Sequence, residues 1–297
     1  MTARTDDTRT DGVENVLDDH SWEAFVAALR QLVPLLDGVD LHPDLRLEQM
    51  FTEDRVAKGV ILAAMRHLLL DPPPGMIAHD RSLGELHEWR NIRAPDRGDQ
   101  TRSSAVEPRH DRSLETNAVR LRVIRDSDVP ALYQSATDPR WSHRWRYRGA
   151  TPSIQDFVDQ LGQGVLAQFI VERKEDGSPA GLVTSYNARL DIGSCYIAFA
   201  RISKSPTAGG SDMLEGGFLF VNFLFRNWPL RKLYAEVPGW NWPQFQSGSG
   251  HFFEVEGTLR DHEYFDGRYW DQYIVGLHRE RWFAQSGVMH ELYPHHG

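Results

Sequence analysis

The chain has 297 residues, 40% of them hydrophobic, with a formal net charge of -9 and a single cysteine, Cys195. That length can bury a full core in one large domain beside a smaller one, and the acidic balance argues against broad binding to a phosphate backbone. One thiol excludes an intramolecular disulfide or a multi-cysteine zinc site and fits a reducing compartment. No apolar run approaches the roughly 18 residues of a membrane span, and residues 1–20 hold no apolar signal core. The expectation is a soluble, cytoplasmic protein without a membrane partner.

Residues 1–19 are rich in Asp, Thr and Arg and read as a disordered leader. Residues 20–90 read as a small helical domain. In it, Trp22 to Val33 carries apolar residues at helical spacing behind Ser21 as N-cap. A second helical run covers about Glu53 to Leu70 and stops at Asp71-Pro72-Pro73-Pro74-Gly75; Ser82 to Trp89 is a short third helix. Residues 91–117, mostly Pro, Asp, Arg, Ser and Gln, read as a linker.

Strand signals begin at Val119-Arg120-Leu121-Arg122-Val123-Ile124, which alternates like a half-buried strand. Asp126-Ser127-Asp128 offers a cap for a helix from Val129, and Thr151-Pro152-Ser153 opens another. Between them lies an aromatic, basic stretch, Trp141 to Arg148. Strands are predicted at Gln168–Arg173, Pro179–Tyr186 and Ser194–Ile202, the first two joined by a turn at Glu175 to Ser178. Cys195, inside the third, reads as a small buried hydrophobe rather than a nucleophile.

A turn with small residues, Ala208-Gly209-Gly210-Ser211, then leads into an apolar helix that ends near Phe225. Strand, small-residue turn and helix together aim backbone N–H groups and a positive dipole end at an anion, so the turn is a candidate phosphate cradle. Further strands are predicted at Lys232–Val237, Glu254–Arg260 and Trp270–Leu277, with a turn over Tyr264 to Tyr269. Residues 286–297 read as a tail. No His, Cys or carboxylate spacing of the kind that binds a metal stands out.

Several of these pieces resemble the GNAT-type N-acyltransferases, in particular the branch that acetylates ribosomal-protein N-termini. They are Leu230-Arg231-Lys232-Leu233-Tyr234-Ala235-Glu236-Val237 followed by Asn241, then Phe253 with Glu256-Gly257-Thr258-Leu259-Arg260, and finally Asp266-Gly267-Arg268-Tyr269-Trp270-Asp271 with Glu280-Arg281-Trp282. Counted back from Phe225, Glu215 falls on the glutamate that opens the family's donor-binding helix. The resemblance covers about residues 118–283 and implies an α+β fold for residues 118–285. That fold is a mixed, mostly antiparallel central sheet flanked by helices, here preceded by the small helical domain. The N-terminal part weakly resembles an acyl carrier domain at Leu45–Phe51 and Ser82–Trp89. It reads Glu53-Asp54-Arg55-Val56 where carriers hold their phosphopantetheine serine.

The resemblance implies transfer of an acyl group from acyl-CoA to an amine, with a small-molecule acceptor. The donor's carbonyl would meet main-chain N–H groups near Ala200 to Ser203, so Ile202 and Ser203 are donor-site candidates. Its pyrophosphate would lie on Ala208, Gly209, Gly210 and Ser211, and Asn241 is a further donor-site candidate. This chain departs from the family there: Ala208 and Gly210 stand where the turn has basic residues, and each lost contact would remove ~1.5–3 kcal/mol of donor binding. Arg201 and Lys204 are nearby substitutes. After Asn241, Gln244 and Gly248 occupy the positions of the family's thiolate-protonating serine and tyrosine, and Gly248 and Gly250 weaken a helix there.

Attack on a thioester needs a neutral amine, so a base is required. The candidates are Glu236 first, then Glu172 and His143. Two alternatives follow from the departures. One keeps the reaction but takes the acyl group from a carrier protein's phosphopantetheine or from an aminoacyl-tRNA, the acidic charge disfavouring the tRNA. The other is a non-catalytic binding module on the same fold.

Overall fold

The structure, a computed structural model, describes residues 19–50, 54–69, 72, 77, 80–93, 114–140, 142–202 and 212–284. The chain divides into two compact units, Met1–Arg109 and His110–Gly297. No helix among the described residues is long and apolar enough to cross a membrane.

The first unit holds α1 (Trp22–Leu32), α2 (Leu47–Met50), α3 (Arg55–Leu68) and α4 (Leu83–Arg93). Their starts are set by side chains that satisfy orphan N–H groups. Ser21 Oγ accepts the Ala24 N–H (3.2 Å), and one Asp54 carboxylate oxygen accepts those of Val56 and Ala57. Ser82 and Glu85 form a reciprocal capping box. Phe25, Ala28, Leu29 and Leu32 of α1 are buried, as are Ile61, Ala64, Met65 and Leu68 of α3. The third predicted helix runs four residues beyond Trp89, to Arg93, and the single turn α2 sits in the carrier-like run at Leu45–Phe51. The part of the comparison that rests on Phe51 and Glu53 falls outside the described residues.

The second unit is a seven-stranded sheet. Its strands are β1 (Val119–Arg122), β2 (Val165–Arg173), β3 (Pro179–Arg189), β4 (Ser194–Arg201), β5 (Lys232–Pro238), β6 (Glu254–Phe265) and β7 (Arg268–His278), in the spatial order β1-β2-β3-β4-β5-β7-β6. Every neighbouring pair is antiparallel except β4 with β5. The expected mixed, mostly antiparallel sheet flanked by helices is present. Helices α5 (Val129–Thr137) and α6 (Ile154–Leu161) cover one face, where Leu132, Ala136, Trp145 and Phe157 pack with Ile170 and Leu182. Helix α7 (Asp212–Asn227) covers the other. A Cβ on Gly216 would meet Val171 Cγ1 at 2.7 Å, so this glycine is what lets α7 lie directly on β2.

Helix α7 is buried nearly all round, which a surface helix would not be. Its outer side is closed by the segment after β7: Trp282 stacks on Phe218 (5.5 Å), and its indole N–H donates to Asn222 Oδ1 (2.8 Å). Arg279 Nη1 donates to the carbonyls of Phe225, Trp228 and Leu230, taking up orphan acceptors at the helix end.

Several predicted boundaries shift: β2 begins at Val165 rather than Gln168, and β3 runs to Arg189 rather than Tyr186. Strand β6 does not stop at Arg260 but continues to Phe265, because Asp261 (φ 48°) lies in a register irregularity between Leu259 and Glu263 that absorbs the polar run. The turn therefore shrinks from Tyr264–Tyr269 to Asp266-Gly267, with φ of 51° and 78°, the left-handed pair a two-residue hairpin requires. After β5 the chain forms two short 3₁₀ turns, Gly239–Gln244 and Gln246–Gly248, in place of an α-helix. Pro243 inside the first and glycine in the second account for that.

Candidate functional site

The parallel pair β4–β5 is a fork. Its ladder holds for Ser194↔Lys232, Cys195↔Leu233 and Tyr196↔Tyr234, after which both strands continue without pairing each other. Each stays bonded on its outer side, β4 to β3 as far as Arg201↔Gly181 and β5 to β7 as far as Pro238↔Gln272. The Ile202 N–H donates to Ala180 O of β3 (3.0 Å). By strand alternation, Phe199 and Arg201 turn their N–H and C=O groups the other way, into the fork. Backbone polar groups in such a gap call for an extended partner that supplies the missing hydrogen bonds.

At the open end of β4, charges gather on the α7 face. Gly181 pairs with Val171 on one side and Arg201 on the other, so Arg201 projects from the same face as Val171 and Arg173. The missing Cβ of Gly181 leaves room for Met213 of α7, whose Cε would otherwise lie 2.7 Å away. Arg173 donates from Nε to Asp212 (2.7 Å) and from Nη1 to Ser178 Oγ (3.0 Å), and its buried Nη2 has no partner among the described residues. The Arg201 side chain makes no hydrogen bond or ion pair among the described residues. Burial lowers its pKa, with Asp212 opposing and Arg173 reinforcing the shift. Two guanidinium groups thus face one carboxylate at the start of α7, leaving positive charge and an unspent donor.

The predicted donor residues divide. Ile202 closes β4 and its carbonyl accepts the Ser135 hydroxyl (3.1 Å). Ser203, Ala208, Gly209, Gly210 and Ser211 lie outside the described residues. Glu215 is buried in α7 and accepts the Thr116 hydroxyl (2.9 Å). Asn241 is on the first 3₁₀ turn, with Oδ1 accepting from Arg144 Nη1 (3.3 Å). Cys195 lies within the paired part of the fork, where burial pushes its thiol up to about 12 and keeps it protonated.

Three tyrosines cross the fork's closed end on the face opposite α7. Tyr186, Tyr196 and Tyr234 are direct cross-strand partners on β3, β4 and β5, with ring centroids 5.7 and 5.4 Å apart. Glu236 follows two residues after Tyr234 and so points from the same face. It is exposed and has no hydrogen bond or ion pair among the described residues.

The aromatic, basic stretch closes over this side. His143 stacks on Phe265 (4.2 Å) and meets Trp240 edge-on (4.9 Å), while Arg148 pairs with Glu263 (3.1 Å). Burial first, then Arg144 and Arg148, lowers the His143 pKa below its ordinary 6.5, so the ring is neutral at neutral pH. Trp141 lies outside the described residues. The tyrosine row could not be found from sequence, because three isolated tyrosines become neighbours only through register.

Glu172 is not with Glu236. It is 2% exposed at the far end of β2 and is bonded to Arg120 and Arg122, the latter also held by Asp128. Burial raises its pKa, but the bonds from Arg122 and Arg120 outweigh that and keep it below the usual carboxylate range.

No family model matches the chain, and no curated protein matches it. Solved structures are similar to it. A spermidine N-acetyltransferase from Vibrio cholerae, in complex with CoA and spermine, is 15% identical over 56% of this chain and 98% of its own, with a TM-score of 0.48. A GNAT-family acetyltransferase from Bacillus anthracis is 15% identical over 56% and 98%, TM-score 0.45. A GCN5-related N-acetyltransferase from Brucella melitensis is 22% identical over 63% and 87%, TM-score 0.46.

Proposed function

We propose that the chain is a GNAT-type N-acyltransferase that moves an acyl group from acyl-CoA to an amine by direct attack in a ternary complex. The observation that carries this reading is the fork: two parallel strands held apart from outside, with the main-chain groups of Phe199 and Arg201 facing the gap. An amide-bearing thioester arm is an extended molecule with the donors and acceptors such a gap lacks. The Arg201 guanidinium and the remaining Nη2 donor of Arg173 fit the donor's phosphates and, in this reading, stand in for the basic side chains absent at Ala208 and Gly210.

In this reading the amine lies on the tyrosine side of the fork and Glu236 accepts its proton. The nitrogen attacks the acyl carbon, main-chain N–H groups of β4 stabilise the oxyanion, and as the C–S bond breaks the departing thiolate takes up the remaining N–H proton of the adduct. A thiolate of pKa ~8.5 can leave without an assigned acid. Glu172 serves structure in its arginine cluster. His143 packs the loop against Trp240 and Phe265, and Asn241 orients Arg144.

The test is a thermal-shift titration with CoA, followed by thiol release from acetyl-CoA across an amine panel. Stabilisation and amine-dependent release support the reading. Release only from acyl-loaded carrier protein would replace the donor, and silence with every donor would leave a non-catalytic binding module.

A further inference from the structure

The tyrosine row and Glu236 form a surface of definite chemistry. Tyr186, Tyr196 and Tyr234 are half-buried, and adjacent rings are tilted by 32°. Glu236 stands beside the row on the bank of the fork. Burial first, then the Glu236 charge, pushes Tyr186 up to about 12 and raises Tyr196, so both phenols stay neutral and their rings remain electron-rich without a net charge.

The cations around this face are already engaged. Lys232 is bonded to Glu256 (2.7 Å), Arg148 to Glu263 (3.1 Å), and Arg146 donates to the Gln160 carbonyl (2.8 Å). Glu256 also faces His278 (3.0 Å). The row moreover receives one ammonium from within the chain: Lys232 Nζ lies 5.1 Å from the centroid of Tyr234. Ring faces and a carboxylate without a partner among the described residues are complementary to an organic ammonium, and Glu236 would repel an acceptor carboxylate placed there.

We propose that the acceptor is a cationic alkylamine whose ammonium binds between the Tyr186–Tyr196–Tyr234 row and Glu236, with the central ring, Tyr196, setting acceptor specificity. This rests on the acyltransferase reading. Binding occurs as the ammonium; one N–H proton passes to Glu236 before the nitrogen attacks, and the second leaves the tetrahedral adduct's nitrogen for the departing thiolate.

The experiment measures acceptor KM and inhibition by tetraethylammonium, a cation with no N–H to acylate. In the wild-type chain it competes with the amine and not with acetyl-CoA. Tyr196→Leu, which keeps apolar bulk but removes the ring, raises acceptor KM about fivefold to thirtyfold and weakens tetraethylammonium by a similar factor, while stabilisation by CoA is unchanged. Tyr196→Phe, which keeps the ring, restores the lower KM. Turnover with no competition by tetraethylammonium in the wild-type chain overturns the acceptor assignment even if the leucine variant does not fold. Unchanged acceptor KM in a folded leucine variant overturns it as well. Absence of CoA binding and turnover in the wild-type chain instead defeats the acyltransferase reading beneath it.

Discussion

Arg201→Gln is expected to separate binding from stability. In the free protein the Arg201 guanidinium is half-buried and makes no hydrogen bond or ion pair among the described residues; burial disfavours its charge more than the attraction of Asp212 favours it, and Arg173 adds repulsion. Folding pays for its burial without a compensating ion pair, so removing the charge leaves the free protein's Tm unchanged or raises it. Donor binding should respond in the opposite direction. A charge-assisted contact to phosphate is worth ~1.5–3 kcal/mol, which corresponds to roughly tenfold to 150-fold in Kd for CoA. Calorimetric titration of wild type and variant with CoA and with pantetheine checks this. The variant's deficit should appear with CoA and vanish with pantetheine, which has no phosphate, and Arg201→Lys should fall between because it keeps charge but loses the fork of donors. A Tm several degrees lower with an unchanged Kd for CoA would refute the reasoning and make Arg201 a structural residue.

Glu236→Gln should lower kcat about 10²-fold to 10⁴-fold, with CoA stabilisation retained and partial recovery as pH rises and more amine is already neutral. Glu172→Gln should leave that turnover intact at low temperature but destabilise the second unit by about 3–5 kcal/mol, because Arg122 loses a buried partner. In the same cluster Glu172 and Asp128 have folded-state pKa values below the usual carboxylate range. Their stabilisation is therefore complete above that range and lost as pH falls through the lower folded values, which acid unfolding of wild type against the glutamine variant would read. Gly216→Ala should cost about 1–3 kcal/mol and several degrees of Tm, since its Cβ would meet Val171 Cγ1 at 2.7 Å.

Local signals were legible where they are local. The Ser21 cap, the apolar periodicity of α1 and the alternation of β1 each depend on neighbours a few residues apart, and each element formed about where expected. The ends of β6 were not, because Asp261-His262-Glu263 reads as a break unless β7 is known to run alongside and absorb it as an irregularity. The site follows the same division. Glu236 and Arg201 could be nominated from strand positions, but the isolation of Glu236 from Glu172 depends on which arginines face which carboxylate across β1 and β2. The tyrosine row depends on the register of three strands. His143 drew its candidacy from chemistry alone, while its surroundings, Trp240 and Phe265, come from almost 100 and more than 120 residues later in the chain.

The sheet order has a consequence for synthesis on the ribosome. Strand β7, the last of the described strands in chain order, lies between β5 and β6, and Arg279 and Trp282 just beyond it complete the burial of α7. Until those residues emerge, β5 has an open inner edge, β6 has no neighbour, and the outer side of α7 is bare. The second unit therefore closes only when the β6–β7 hairpin, turning at Asp266-Gly267, docks its β7 edge on β5. Until that hairpin docks, the chain exposes an apolar helix face and an unpaired strand edge, the surfaces that make a folding intermediate prone to aggregate.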